Sequence, residues 1–422
     1  MTEELRPNST DSDDKVIDRF RRWFWRPPRR HGEVLEDRTV TFLELFYDLV
    51  YVVVIAQAAH HLAEHVSLQG AVEFVIIFGL VWIAWLNGSL YHELHGQRDG
   101  RTRSFVFVQM AILALLAIFT ADAAGETGME FALVYAAFLL VMAALWYGVQ
   151  RIDEARYRRV TGFYLTMMAI TTSAMVVSAF LPDDLRTLVW ACVVGLWVLW
   201  MLALSTLSKL SENWEAGVTA TDSMVERFGL FTIIVLGEVV VGVVEGTAEA
   251  GHEVGHDLIS YATGLLALTI GFGLWWLYFD LVGRRLPRDH GPSLGRWFLA
   301  HALIGLSIAA AGASLVGLIV QAHDGATSPG TAWLLTGSVA VCLGAIALAI
   351  TTLALLEELA DVYRPTVAAL LLGALATLGV GWLQPAPWLL ALTLSLIMMA
   401  IWLFAINRWL ASGRALRGEM PS

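Results

Sequence analysis

Residues 42–64 read FLELFYDLVYVVVIAQAAHHLAE. The run is apolar and long enough to cross a bilayer as a single helix, yet Glu44 and Asp48 stand in its first two turns. Four residues apart, they lie on one helical face, one above the other. An ionised carboxylate at the centre of a span costs about 2.5–3.5 kcal/mol on insertion scales, and less toward the ends. Two acids on one face therefore require protein, a partner or water opposite them. The other helices are expected to be built around that face.

The rest of the chain agrees. Of 422 residues, 57% are hydrophobic and 15% charged, where a soluble domain carries about 25% charged residues. Mean hydropathy is +0.64. Seventeen Trp suit the interfacial belts of a membrane protein. The reading is an all-α, polytopic transmembrane helical bundle. Spans are expected at 42–64, 70–93, 104–121, 129–150, 160–181, 187–208, 224–245, 258–282, 297–321, 331–356, 366–383 and 388–410. Cys192 and Cys342 fall inside apolar runs and form no metal or redox motif. No basic groove or reader motif points to nucleic acid. P-loop, GxGxxG, GxSxG and HExxH signatures are absent, and no nucleophile–base set converges. An enzyme is not expected, nor a cofactor or a bound metal.

Charge is distributed by loop. The net charge is −11, but all of the 27 Lys and Arg except Arg186 belong to the leading segment, the tail and every second loop or its adjoining span ends. The intervening loops are acidic: Asp122 and Glu126; Asp183 and Asp184; Glu249, Glu253 and Asp257; Asp324. The positive-inside rule then puts both termini in the cytoplasm, in an inner-membrane-type bilayer. The leading segment VIDRFRRWFWRPPRR (16–30) puts Val16, Ile17, Phe20, Trp23 and Phe24 on one side of a helix and arginines on the other, until Pro27-Pro28 stops it. It is expected to lie on the membrane surface against anionic headgroups. No apolar h-region precedes the first span, so it does not read as a signal peptide.

The chain divides into a leading segment 1–41, a first six-helix half 42–210, a linker 211–222, a second half 223–411 and a tail 412–422. Six is even, so repeated halves would run in the same direction. Glu44 with Gln57, Glu226 with Glu238, and paired tryptophans in spans two and eight (Trp82, Trp85; Trp275, Trp276) hint at such a repeat.

Polar groups at membrane depth are the functional candidates. Glu44 reads as an ion-entry group or as an anchor paired with Arg227 or Arg296, and Asp48, a turn deeper, allows the same two readings. Glu226 and Arg227 open span seven about 100° apart, so each needs a partner on another helix. Glu238 lies roughly 18 Å deeper at 1.5 Å per residue, with no basic residue evident at its level. An unpaired buried carboxylate must take a proton or a cation, or find a hydrogen bond. Gly237 and Gly242 beside it permit close helix approach. Asp280 has Arg284 one turn on and reads as a local ion pair. His301 either meets an inner carboxylate or is a core histidine bonded to backbone. Asn87, His92 and His95 sit at the inner end of span two and are counted with the inner polar group by position. His252 and His256 have ligand-like spacing but read as part of a solvated acidic loop.

The stretches ELFYDLV (44–50) and ERFGLFTIIVLGE (226–238) resemble the bacterial low temperature requirement protein A family. That resemblance implies a polytopic membrane protein without a settled biochemical activity. It carries the family's acidic pair onto Glu44 and Asp48, and its closing glutamate onto Glu238. FYDLVY (46–51) is also similar to the Phe-Ser-Asp motif of a doubled six-helix class of potassium channels. Here Tyr47 replaces the serine and span seven has no second copy, which argues against such a pore. The expected function is a secondary transporter or permease with Glu44, Asp48, Glu226, Arg227, Glu238, Asp280 and His301 along an ion or proton path. The alternatives are a passive cation channel and a non-transporting sensor or scaffold.

Overall fold

The computed structural model describes residues 16–20, 24, 27–31, 33, 38–97, 99–155, 157–207, 220–253, 257–288 and 291–412. Among them, twelve helices are long and apolar enough to cross a membrane. They are α1 (Phe42–Glu64), α2 (Leu68–His95), α3 (Gly100–Thr120), α4 (Gly128–Ile152), α5 (Arg158–Ser178), α6 (Asp183–Leu207), α7 (Asp222–Glu253), α8 (Leu258–Leu281), α9 (Gly291–Val320), α10 (Pro329–Ile350), α11 (Ala360–Leu383) and α12 (Pro387–Ala411). The protein is an all-helical, multi-pass membrane protein. Its loops form two faces, called here basic and acidic after the residues they carry. Most of the 211–222 linker, residues 413–422 and Arg21, Arg22, Arg26 and His256 lie outside the described residues.

The two halves use the same neighbours. In the first, α1 packs on α2 and α3, α3 on α4, α4 on α5, α5 on α6, and α2 on α4 and α6. In the second, each of these pairings recurs six helices on, from α7 on α8 and α9 to α8 on α10 and α12. Between halves α9 does most of the joining, against α1, α2 and α6, with α1 also meeting α7. Its sequence explains this. The buried run around Ala309, Ala311, Gly312 and Ser314 offers small side chains, and small residues let helices approach closely where no hydrophobic force separates helix from lipid.

Several helix ends differ from the hydropathy reading: α7 runs on to Glu253 instead of ending at 245, which puts Glu249, His252 and Glu253 on the helix and not in a loop, and α9 starts at Gly291 instead of 297. Two further ends have a cause in their bonding. The tenth span, expected at 331–356, stops at Ile350, and Ala354–Leu356 form a 3-10 turn. The Thr351 and Thr352 hydroxyls donate to the carbonyls of Leu348 and Ala349, each at 2.6 Å. The Arg288 backbone N–H and guanidinium take the carbonyls of Thr352 and Thr351. Side-chain bonds of this kind compete with helix propagation. The eleventh span, expected from 366, starts at Ala360 with Pro365 inside it. Proline removes the bond to the carbonyl four residues earlier, that of Asp361. Arg408 of α12 donates to this oxygen at 2.8 and 3.3 Å, so the extra turn survives.

Arg186, the exception to the charge pattern, is a buried staple. Its guanidinium donates to the carbonyls of Ser178, Leu181 and Gly125 and to Asp183. The Ser178 and Gly125 carbonyls also accept from the backbone N–H groups of Leu181 and Gly128, so the guanidinium adds a second donor at a helix end and a turn.

Candidate functional site

The site begins at the first turn of α1. Thr41 is its N-cap: the Glu44 N–H donates to Thr41 Oγ1 at 3.3 Å, and the Thr41 N–H donates to Glu44 Oε2 at 2.8 Å. This is a capping box. It fixes one oxygen of Glu44 locally and turns the other, Oε1, inward. There it meets Arg38 and lies 3.7 Å from Arg227 Nη1.

One turn on, Asp48 is fully buried. Its Oδ1 accepts from Trp85 Nε1 at 2.8 Å and from Arg227 Nη2 at 2.9 Å, while Oδ2 accepts from Arg227 Nε at 3.3 Å. Arg227, 2% exposed, also sits 5.7 Å over the Tyr47 ring. The Tyr47 hydroxyl donates to Gln109 Oε1 at 2.7 Å and lies 3.1 Å from the Tyr51 hydroxyl. Gly88 makes room for it: a Cβ there would stand 2.2 Å from the Tyr47 oxygen. Four helices, α1, α2, α3 and α7, thus converge on one desolvated charge pair, in which every acid oxygen has a donor.

The segment before α1 covers this cluster. Arg38 pairs with Glu44 and Glu93 at once, and Glu93 also accepts from Thr221 and Ser223 at 2.8 and 2.7 Å. Arg29 donates to the carbonyls of Glu93 and Gly96 at 2.6 and 2.8 Å, occupying acceptors at the end of α2. Burial pulls the Arg29 and Arg38 guanidinium groups below their ordinary pKa against the pull of nearby glutamates. His31 closes the strap on Asp153, by its ring at 2.7 Å and its N–H at 3.3 Å. The basic residues Arg29 and Arg38 are therefore built into the fold. Farther out, Val16, Ile17 and Phe20 are exposed on a helical segment.

Glu238 occupies a different place. It is 7% exposed and has no hydrogen-bond or ion-pair partner among the described residues. It lines a cavity of about 270 Å³ with Gln57 and His60 of α1, Gly242 and Glu245 of α7, and Gly312 of α9. Gly242 and Gly312 bring α7 and α9 together beneath it: a Cβ on Gly312 would lie 2.6 Å from the Glu238 carbonyl oxygen. Gly237, expected to share that role, has open space where its Cβ would be.

Asp48 does not line this cavity. Phe228 and Phe231 lie between Arg227 and Glu238 along α7, and their rings pack against Trp85, the Asp48 donor. Trp85 stacks on Phe231 at 4.1 Å and meets Phe228 edge-on at 4.8 Å, and Phe228 packs on Trp297 at 4.5 Å. Aromatic packing thus stands between the sealed ion pair and an acid whose vestibule is also lined by Gln57, His60 and Glu245.

The remaining candidates lie apart. Glu226 is exposed at the basic rim, 3.5 Å from the Val40 N–H. Asp280 makes no ion pair with Arg284 among the described residues. Its carboxylate accepts from Trp402 Nε1 at 2.7 Å, and Arg285 takes its backbone carbonyl instead. The cause is geometric: the helix ends at Leu281, so Arg284 no longer continues the turn. Among the described residues His301 touches no carboxylate. Its Nδ1 faces the Trp297 carbonyl at 2.8 Å and its Nε2 the Tyr278 hydroxyl at 3.1 Å. Asn87 bonds to Ile83 and Tyr164, and His95 to the Arg29 carbonyl, whereas buried His92 lies edge-on to Tyr47 at 5.6 Å, within the cluster.

The sequence reading missed Arg38, Glu93 and Trp85. The box T-F-L-E at 41–44 was a signal for the first turn, and Glu93 inside H-E-L-H at the end of α2 was a signal for the strap. Nothing local marks Trp85 as the Asp48 donor.

A chain of similar sequence, an uncharacterized protein of Rhizobium meliloti (strain 1021), is 26% identical over 262 residues, or 58% of this chain. The match spans 60% of that relative's length. The profile of the bacterial low temperature requirement A protein (LtrA) family matches residues 39–404, which include the capping box, the Asp48–Arg227 pair and Glu238. The chain belongs to the bacterial low temperature requirement A family.

Proposed function

We propose that this protein is a secondary transporter for a small cation, or for a solute carried with a proton, and that Glu238 is its titrating group. The observation that carries the reading is a nearly buried, partner-free carboxyl lining a cavity beside Glu245 and His60. A carboxylate removed from water without a partner is costly, and uptake of a proton or cation relieves that cost. The ring packing around Trp85 and the strap carrying Arg29 and Arg38 close the other side, as alternating access requires of a carrier in one of its states. Such a barrier fits an open channel poorly, and large single-channel currents would reverse that preference.

In this reading the acidic face is external and the basic face cytoplasmic. The exposed Val16, Ile17 and Phe20 rest on the inner leaflet against anionic headgroups. The protein has no catalytic role. A second reading, a non-transporting sensor or scaffold, draws support from the Asp48–Arg227–Trp85 cluster, which clamps helices whether or not anything moves.

The test is solute and proton flux in proteoliposomes. Glu238→Gln is expected to abolish pH-dependent flux while the protein stays monodisperse. Full flux in that variant would remove Glu238 from the mechanism, and no flux of any cation by the native chain would favour the scaffold.

A further inference from the structure

The last turn of α1 reads HHLAEH, residues 60–65. His61, Glu64 and His65 fall at i, i+3 and i+4, the spacing that stacks side chains on one helical face. One potential ligand atom from each lies within 4.8 Å of the other two. The two imidazoles are stacked, with centroids 4.4 Å apart.

A second observation concerns the His65 tautomer. Its Nδ1 lies 3.1 Å from the His61 carbonyl oxygen. A carbonyl only accepts, so Nδ1 carries the proton and Nε2 keeps its lone pair. A ring held by one nitrogen on a backbone carbonyl, with the other left as a base, is the arrangement that supports metal-bound histidines. The position adds to it: the group sits at a helix C-terminus, where the macrodipole favours positive charge.

We propose that His61, Glu64 and His65 bind a divalent first-row transition metal ion, of the Zn2+ class, at the mouth of the vestibule. Two imidazole nitrogens and one carboxylate oxygen suit such an ion and leave a fourth position for water. Mg2+ and Ca2+, which demand mainly oxygen ligands, are poorly served. Glu64 connects the site to the cavity: its Oε1 lies 3.5 Å from His60 Nε2, and His60 Nδ1 lies 3.7 Å from Glu245 Oε2. His60 and Glu245 both line the cavity that holds Glu238. The site stands whether or not the vestibule conducts, because binding is measured without flux.

The experiment titrates tag-free purified protein in detergent with Co2+, read by its visible absorption, and then with Zn2+ in competition. One ion per chain is expected to bind with a four-coordinate spectrum. His61→Ala, His65→Ala and Glu64→Gln should each weaken Zn2+ by more than about 10-fold, since even outer-shell losses cost 10–100-fold. Glu64→Gln preserves shape and exposed His65 is free of the core, so folding is retained. His252→Ala, an exposed histidine outside the group, should leave binding unchanged. Unchanged Zn2+ affinity in the His61→Ala/His65→Ala double variant, or Ca2+ binding as tight as Zn2+, would overturn the site.

Discussion

Arg227 of α7 grips both carboxylate oxygens of Asp48 of α1, by Nη2 at 2.9 Å and Nε at 3.3 Å, with both side chains buried. The contact joins the two halves of the molecule across 179 residues of chain. Removing one partner of a buried pair leaves an uncompensated charge and costs about 3–5 kcal/mol. Asp48→Asn keeps an oxygen for Trp85 and removes only the charge, so it should lower thermal stability in detergent by that order. Adding Arg227→Met removes the cation, which would otherwise keep only Glu44 at 3.7 Å, itself paired with Arg38, and the double variant should be less destabilised than Asp48→Asn alone. Additive losses across the cycle would show that the two residues do not act as a pair.

The α7–α9 crossing depends on missing side chains. A Cβ on Gly242 would stand 2.1 Å from the Gly312 carbonyl oxygen, and one on Gly312 would stand 2.6 Å from that of Glu238. Both obstacles are backbone and cannot rotate away. Gly242→Ala or Gly312→Ala should therefore force the helices apart and destabilise by about 1–3 kcal/mol, the usual scale of overpacking. Gly237→Ala meets nothing within 4 Å and should be neutral, or stabilising by up to about 1 kcal/mol through helix propensity. Thermal unfolding of the three variants side by side is the check. Equal effects at all three positions would mean that close approach does not hold this interface.

The strap across the basic face should weaken in acid. Burial by itself raises the Asp153 carboxyl, but the bonds from the His31 ring and N–H and from the Thr161 hydroxyl outweigh it and hold Asp153 below its ordinary value. A carboxyl depressed in the folded state contributes stability above its unfolded pKa of about 3.9, and that contribution is lost as pH falls toward the folded value. Native protein should therefore exceed Asp153→Asn in melting temperature near neutral pH, and the two curves should converge as pH drops below about 4. A constant gap down to the lowest pH would separate Asp153 from the acid response. Limited proteolysis between residues 27 and 41 should follow the same trend.

Much of the candidate site was legible because its signals run along the chain. A carboxylate pair four apart in an apolar run announces a helical face that cannot look at lipid. An acid twelve residues into span seven announces a deep group. Asp280 and His301 were expected on the same path for the same reason, yet they bond to Trp402 and Tyr278. Depth can be counted from a sequence, but the direction a helix faces about its own axis cannot be counted when nearly every surface residue is apolar. The separation of Asp48 from the Glu238 cavity by the Trp85 and Phe231 rings was invisible for that reason.

The sequence by itself determined the number of spans, the alternation of basic and acidic loops, and the placing of Glu44 and Asp48 on one face of the first helix. Those features follow from hydropathy, from local charge and from the 3.6-residue turn, all of which act between near neighbours in the chain. Tertiary structure alone decided that Arg227 and Trp85 are the partners of Asp48, that Arg38 spans Glu44 and Glu93, and that Glu238 faces a cavity with no partner among the described residues. Those depend on the rotation and depth of one helix against another. That register is set by backbone contacts such as Gly242 on Gly312, and no local period encodes it.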